Sequence, residues 1–268
     1  MISRIIRFSY FFTATSLAFL VGGQVFAGGL YERDFSDADF SNSTTIDNLY
    51  WPLFPGVEFT YFAETDDGCE WNRVTVTDYT KVILGIATVV VEDKEWLDEA
   101  EDCADRRYDD YPDGFPYGEL TEETDDWYAQ DELKNIWYMG EDTSSYDWEE
   151  GECEDVDGDA CKDGSFEAGV GEAEAGIVMM GDPFKGDFYQ QEYDPDNAED
   201  MAKVLNFVVI DDMDCLKTKE WTPLEPGAVE HKYYCFDDVL GFSVLYLINE
   251  ISGGPTVSVE LIEVTQQE

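Results

Sequence analysis

The chain has 268 residues and a formal net charge of −47, with 62 Asp and Glu against 15 Lys and Arg. Such a surface repels nucleic acid and anionic membranes, so neither is expected as a partner. With 44% hydrophobic and 15% aromatic residues the chain has the apolar content for a core, which excludes a disordered acidic tail.

A globule of this mass exposes on the order of 11,000 Å², which spaces the net charges about 15 Å apart. The Debye length at physiological salt is about 8 Å, so the average repulsion is screened. The mean charge therefore fits a saline habitat as well as it fits bound metal. Carboxylates within about 5 Å of each other are a different matter, because they repel without screening.

Arg4 and Arg7 precede an apolar and small-residue run over 8–21, and Val25-Phe26-Ala27 has the form of a cleavage site. Residues 1–27 therefore read as an export signal cut after Ala27. A retained anchor is the alternative, but Thr13, Thr15, Ser16, Gly22 and Gly23 break the run, which is short for a membrane span. No later segment is apolar enough to span. The expected location is secreted, either periplasmic or extracellular. Six cysteines in an exported chain point to three disulfides.

Residues 28–48 are polar and read as an extended leader; 49–268 read as a single β domain, with a split near 150 as the alternative. Val57, Phe59, Tyr61 and Ala63 alternate with polar residues, as do Val74 and Val76. The apolar stretch 82–91 suggests a central strand with a bulge at Gly85. The acid-dense stretch 92–126, with Pro112, Gly114, Pro116 and Gly118, reads as a long surface excursion. Strands at 127–130 and 136–139 flank a turn at 131–135. An acidic loop region follows at 149–176, then a strand at 188–193. Residues 197–205 read as a short helix, with Asn197 as N-cap and Glu199 and Asp200 in the first turn. Strands are expected at 207–210, 216–222, 229–236, 239–248 and 256–264. Short connections favour antiparallel pairing. The expected fold is mainly β: an antiparallel, strongly curved sheet, sandwich or half-barrel, with long acidic loops and one short helix.

Asp155, Asp157 and Asp159 alternate between Cys153 and Cys161. Calcium takes six to eight oxygens, which these aspartates, Asp163 and backbone carbonyls can supply. A Cys153–Cys161 disulfide would preorganise the loop. This is no EF-hand loop, because its sixth position is Ala160 and its glycine, Gly158, is the fourth. Calcium is the expected cofactor. Asp194, Asp196 and Asp200 form a second, weaker metal candidate, against a simple capped turn at Asn197.

A hairpin loop at 223–227 pairs positions symmetric about Glu225. Cys215 then opposes Cys235, and Glu220 opposes Glu230. Opposed like charges need compensation. Lys232 on the diagonal supplies it; the alternatives are a cation or a catalytic pair, which retaining glycosidases space about 5–5.5 Å apart. Cys69 and Cys103 pair by elimination. His231 is the one histidine, which excludes the multi-histidine zinc hydrolases. No G-x-S-x-G, Walker or G-x-G-x-x-G motif is present. In Trp127-Tyr128 and Trp137-Tyr138 each pair should give one core ring and one outward ring, since neighbours in a strand face opposite ways.

Several segments carry a resemblance: Ile46-Asp47-Asn48, Trp51-Pro52-Leu53-Phe54-Pro55-Gly56, Trp127-Tyr128-Ala129-Gln130-Asp131, Ile136-Trp137-Tyr138-Met139-Gly140-Glu141-Asp142-Thr143, Gly164-Ser165-Phe166-Glu167-Ala168-Gly169-Val170, Gln191-Glu192-Tyr193, Ala198-Glu199-Asp200-Met201-Ala202 and Glu220-Trp221-Thr222-Pro223-Leu224-Glu225-Pro226-Gly227. Together they resemble a family of uncharacterised secreted bacterial β-rich proteins with no assigned activity. The resemblance covers most of the chain after residue 27 and implies no catalytic residue. The chain departs from that pattern in its extra cysteines and acidic inserts, one of which holds the aspartate loop. The loop itself resembles the end of a thrombospondin type 3 calcium repeat, where D-x-D-G-D precedes a cysteine.

The expected function is that of a secreted, acidic, calcium-binding protein with a binding or structural role at the cell surface or in the extracellular matrix. Its partners would be divalent cations and a glycan or other extracellular ligand. The alternatives are a carboxylate-dependent polysaccharide hydrolase and a lipid or hydrophobe carrier, since half-barrels enclose apolar ligands.

Overall fold

The computed structural model describes residues 33–99, 103, 118–146, 153, 155–251 and 257–266. The expected export signal at 1–27 and the first residues of the leader lie outside the described residues. Among the described residues no helix is long and apolar enough to cross a membrane.

The strands are β1 (Val57–Glu64), β2 (Cys69–Ile83), β3 (Ile86–Asp98), β4 (Glu119–Gln130), β5 (Ile136–Ser145), β6 (Val156–Asp157), β7 (Ala160–Cys161) and β8 (Phe166–Glu167). They continue with β9 (Glu174–Met179), β10 (Phe188–Gln190), β11 (Glu192–Tyr193), β12 (Met201–Ile210), β13 (Met213–Trp221), β14 (Val229–Asp237), β15 (Phe242–Glu250) and β16 (Val257–Gln266). All pair antiparallel; the main order is β10-β12-β13-β14-β15-β16-β1-β2-β3-β4-β5-β7-β6, and off this path β8 and β9 pair with β5 and β11 with β9. The protein is thus mainly β, an open antiparallel sheet of sandwich or half-barrel type.

The two arms of this sheet are tied by one segment. β10 pairs with β12 through Phe188↔Lys203 to Gln190↔Met201. After Gln191 the same chain changes neighbour, and β11 pairs with β9 through Glu192↔Ala175. β9 in turn pairs with β5. The close approach at this switch needs glycine. A Cβ on Gly176 would lie 2.3 Å from the carbonyl carbon and oxygen of Gln191.

The core is one cluster that includes Trp51, Tyr61, Tyr128, Met139, Val178, Leu216 and Ile248, drawn from both arms. Full burial of each such side chain is worth about 1.5–3 kcal/mol. A satellite cluster of Phe62, Trp71, Cys69 and Cys103 lies under the Cys69–Cys103 disulfide. The other disulfides are Cys153–Cys161 and Cys215–Cys235.

Several expectations need correction. Residues 197–205 are not a helix. The one helical element among the described residues is the 3-10 turn Phe35–Asp37. Ala202 and Val204 are fully buried on one face of β12 and pair into two neighbours, so tertiary pairing overrides helix propensity. Residues 82–91 are not one strand with a bulge. Leu84 (φ 52°) and Gly85 (φ 84°) form a two-residue hairpin turn, a left-handed pair that matches strand twist. The excursion at 92–126 is shorter than expected, because β3 extends to Asp98 and β4 starts at Glu119. Its acids are accommodated by pairing with bases and polar groups, including Lys94 to Glu123 and Asn72 to Asp93.

Residues 33–48, expected as an extended leader, pack against the sheet where described. Phe35 and Phe40 contact the Trp137 ring at 5.2 and 6.0 Å. Arg33 Nε lies 2.8 Å from Asp131, whose carboxylate also accepts from the Leu133 and Asn135 backbone N–H groups and from Trp137 Nε1.

Gly176→Ala is expected to lower unfolding stability by about 2–4 kcal/mol, since backbone must shift to admit one methyl. Urea denaturation measures it, with Gly158→Ala, whose Cβ meets nothing within 4 Å, showing the left-handed penalty alone.

Candidate functional site

The aspartate loop is a short hairpin. Val156 pairs with Cys161 and Asp157 with Ala160, with Gly158 (φ 69°) and Asp159 in the turn. The disulfide closes it with the Cys153 and Cys161 Cα atoms 5.8 Å apart. Asp155, Asp157 and Asp159 are exposed. Asp163 Oδ1 accepts from the Asp155 N–H, which folds the next loop back onto the hairpin. The carboxylates do not converge into one shell. The one close group of three ligand-type side chains among the described residues is Cys153, Cys161 and Asp163, and its two sulfurs are already bonded to each other.

The second metal candidate is dispersed. Asp194 Oδ2 accepts from Asn197 Nδ2, Asp196 is exposed with φ 63°, and Asp200 is turned toward Lys232 in the interior. Asn197 caps no helix; it links this turn to the Gly164 N–H and the Ser165 carbonyl.

The β13–β14 hairpin has the register set by its loop: Cys215↔Cys235 and Glu220↔Glu230. Both glutamates face inward and share one ammonium, with Lys232 Nζ 2.9 Å from Glu220 and 3.3 Å from Glu230. Glu220 further accepts from Thr218 at 2.9 Å, Gln191 at 3.3 Å and Tyr234 at 3.4 Å. Burial alone would lower the Lys232 pKa, but Glu220 and Glu230 hold it above the usual lysine range. Burial raises Glu230, against the pull of Lys232. The carboxylate pair that a hydrolase would use is therefore locked to a buried cation and to three hydrogen-bond donors.

A second set of buried acids has no counterpart in the sequence reading. Asp126 on β4, Glu141 on β5 and Glu192 on β11 come within electrostatic reach of one another. The Tyr138 hydroxyl contacts Asp126 Oδ1 and lies 2.6 Å from Glu141 Oε2. A phenol has one proton to give. Two carboxyl contacts to one phenol oxygen therefore require that one acid is itself protonated. Glu141 fits that role: burial first, then Asp126, push its pKa up to about 8. Burial, with Asp200 and Glu141, raises Glu192 well above the carboxylate range. Tyr128 stacks on Tyr138 at 4.9 Å, and its buried hydroxyl has no hydrogen-bond partner. The sequence signal was an acid set inside an aromatic strand, as in Asp126-Trp127-Tyr128 and Tyr138-Met139-Gly140-Glu141.

The four aromatics expected to split between core and surface are all buried. The leader covers Trp137, and Lys81 Nζ sits 3.1 Å above the Trp127 ring, so neither ring faces open solvent. A pocket of about 460 Å³ lies elsewhere, lined by Leu49, Tyr50, Phe207, Leu216, Tyr234 and Phe236.

No protein-family model, curated protein or solved structure matches the chain.

Lys232→Met is expected to cost about 3–5 kcal/mol near pH 8, because it leaves two buried carboxylates uncompensated. Adding Glu220→Gln and Glu230→Gln should recover most of that loss in urea titrations. The Asp126–Glu141–Glu192 group sets a pH dependence of opposite sign to ordinary acid unfolding. The folded state keeps protons that the unfolded chain releases above its ordinary carboxyl pKa, so stability falls as pH rises toward the folded value near 8. Tm is expected to drop by roughly 5–10 °C between about pH 5 and pH 9, and Glu141→Gln to flatten that slope.

Proposed function

We propose that this is an exported, disulfide-braced binding protein that takes a divalent cation, calcium by its ligand chemistry, on the Cys153–Cys161 hairpin. One observation carries this reading. A covalently closed eight-residue separation holds three exposed aspartates on a short hairpin, with the Asp163 carboxylate already folded onto its first residue. Calcium tolerates water in its shell and flexible carboxylates, so a hairpin that supplies a few oxygens and leaves the rest to water suits it better than it suits magnesium. Lys162, the nearest base in sequence, is engaged by Asp142 and Ser144 and does not neutralise the turn. Bound calcium would remove the mutual repulsion of the aspartates and stiffen an acidic edge of the sheet. A role as calcium-dependent adhesive or structural element outside the cell follows from that stiffening. The polysaccharide-hydrolase reading loses its support where Glu220 and Glu230 are both held by Lys232.

Scanning calorimetry with millimolar calcium against EDTA tests the proposal. A ligand that binds only the folded state at a hundredfold its Kd stabilises by about 2.7 kcal/mol, so Tm should rise by several degrees. Asp155→Asn/Asp157→Asn/Asp159→Asn should abolish the rise and leave the EDTA value unchanged. An unchanged wild-type Tm, or a triple variant that still responds, overturns the hairpin as the site.

A further inference from the structure

Acids outnumber bases about fourfold in this chain, and most of its described bases are ion-paired. Arg33, Arg73, Lys81, Lys94, Lys134, Lys162 and Lys232 each meet a carboxylate. Among the described residues Lys185, Lys203, Lys217 and Lys219 do not, and the last three lie on adjacent strands of one sheet face. Lys203 on β12 stands directly opposite Lys219 on β13. Lys217, two residues along β13, opposes Tyr233 on β14. His231, the only histidine of the chain, lies on β14 close enough to feel both Lys217 and Lys219.

This is the outer face. Thr218, Glu220 and Lys232, which alternate with these residues, are buried within the sheet's other side. The ammonium groups are also positioned: Lys217 Nζ sits 4.9 Å from the Tyr233 ring centroid and Lys219 Nζ 4.9 Å from that of Trp221. Two lysines in direct cross-strand opposition repel each other, and among the described residues no carboxylate pairs with them. A fold with so many acids available has left this spot bare of them.

We propose that the Lys203–Lys217–Lys219–His231 face binds a compact oxyanion of the phosphate or sulfate type, free or as the terminal ester of a larger ligand. Neighbouring strands are about 4.8 Å apart and alternate residues about 6.8 Å apart, so the four side chains bracket an area about 10 Å across. That size suits one multiply charged group. A long polyanion would run off the patch onto acidic surface and be repelled. Lysine supplies the point charges, and His231 adds an N–H donor once the anion draws a proton to it. The groups facing His231 are Lys217 and Lys219 from β13, Asn249 from β15 and, one strand further by register, Ser258 on β16, with Glu260 two residues along that strand. Unliganded, burial and the two lysines keep its pKa below the usual histidine value.

A single histidine makes the test direct. The His231 imidazole resonances of the intact secreted chain are followed by NMR against pH, with inorganic phosphate, inorganic sulfate, glycerol phosphate, polygalacturonate or chloride at matched ionic strength. The expected result is a saturable shift with phosphate and sulfate and a rise of about one unit in the His231 pKa. A comparable response to glycerol phosphate would identify an ester as the ligand, and a response to the free ions alone a free oxyanion. Lys203→Met/Lys219→Met should weaken binding at least tenfold while keeping or raising Tm, because it removes opposed like charges. A chloride response equal to that of phosphate, saturation by polygalacturonate alone, or an undiminished response in the double variant overturns the proposal.

Discussion

The interior of this protein depends on a change of partner at Gln191. Its backbone N–H donates to the Asp200 carbonyl at 2.7 Å, and its side chain reaches Glu220 and the Val178 carbonyl. One residue earlier the chain pairs with β12, and one residue later with β9. Gly176 makes room for that backbone. This junction links the two arms a second time, beyond their continuous pairing through β16 and β1. With it, Glu192 is carried toward Asp126 and Glu141 on one side and toward Asp200 on the other.

Burying so many carboxylates is unfavourable unless each loses its charge or finds a partner. The molecule uses both solutions, a short distance apart. Around Lys232 the acids find partners, because an ammonium and a set of neutral donors replace water. Around Tyr138 they share protons, because a phenol can bridge two carboxyls only if one is neutral. The two arrangements meet through Asp200, which interacts with Lys232 and raises Glu192.

The surface divides its charge as well. The acidic hairpin at one end of the strand order extends from β5, whereas Lys203, Lys217 and Lys219 occupy β12 and β13 near the other end. Opposite charges placed on separate elements cannot cancel by pairing, so each remains available to a ligand of the other sign. The net charge of −47 conceals this division.

Period-two alternation and short loops made the antiparallel β class legible in the sequence, and the loop at 223–227 fixed which residues oppose each other across β13 and β14. Local rules suffice there, because a hairpin register depends only on its turn. They fail at 197–205, where Ala, Glu, Met, Lys and Leu favour a helix but Ala202 and Val204 are buried between two strands. They fail also at 84–85, where a left-handed pair reads as the middle of an apolar run. The Asp126–Tyr138–Glu141–Glu192 group was not legible, because Glu192 comes from a strand distant in sequence, and the basic face was hidden because Lys203 fell in the expected helix. Alternation tells which side of a strand a residue takes; only the packing of distant strands decides whether that side is dry, and whether an acid there meets a cation, another acid or water.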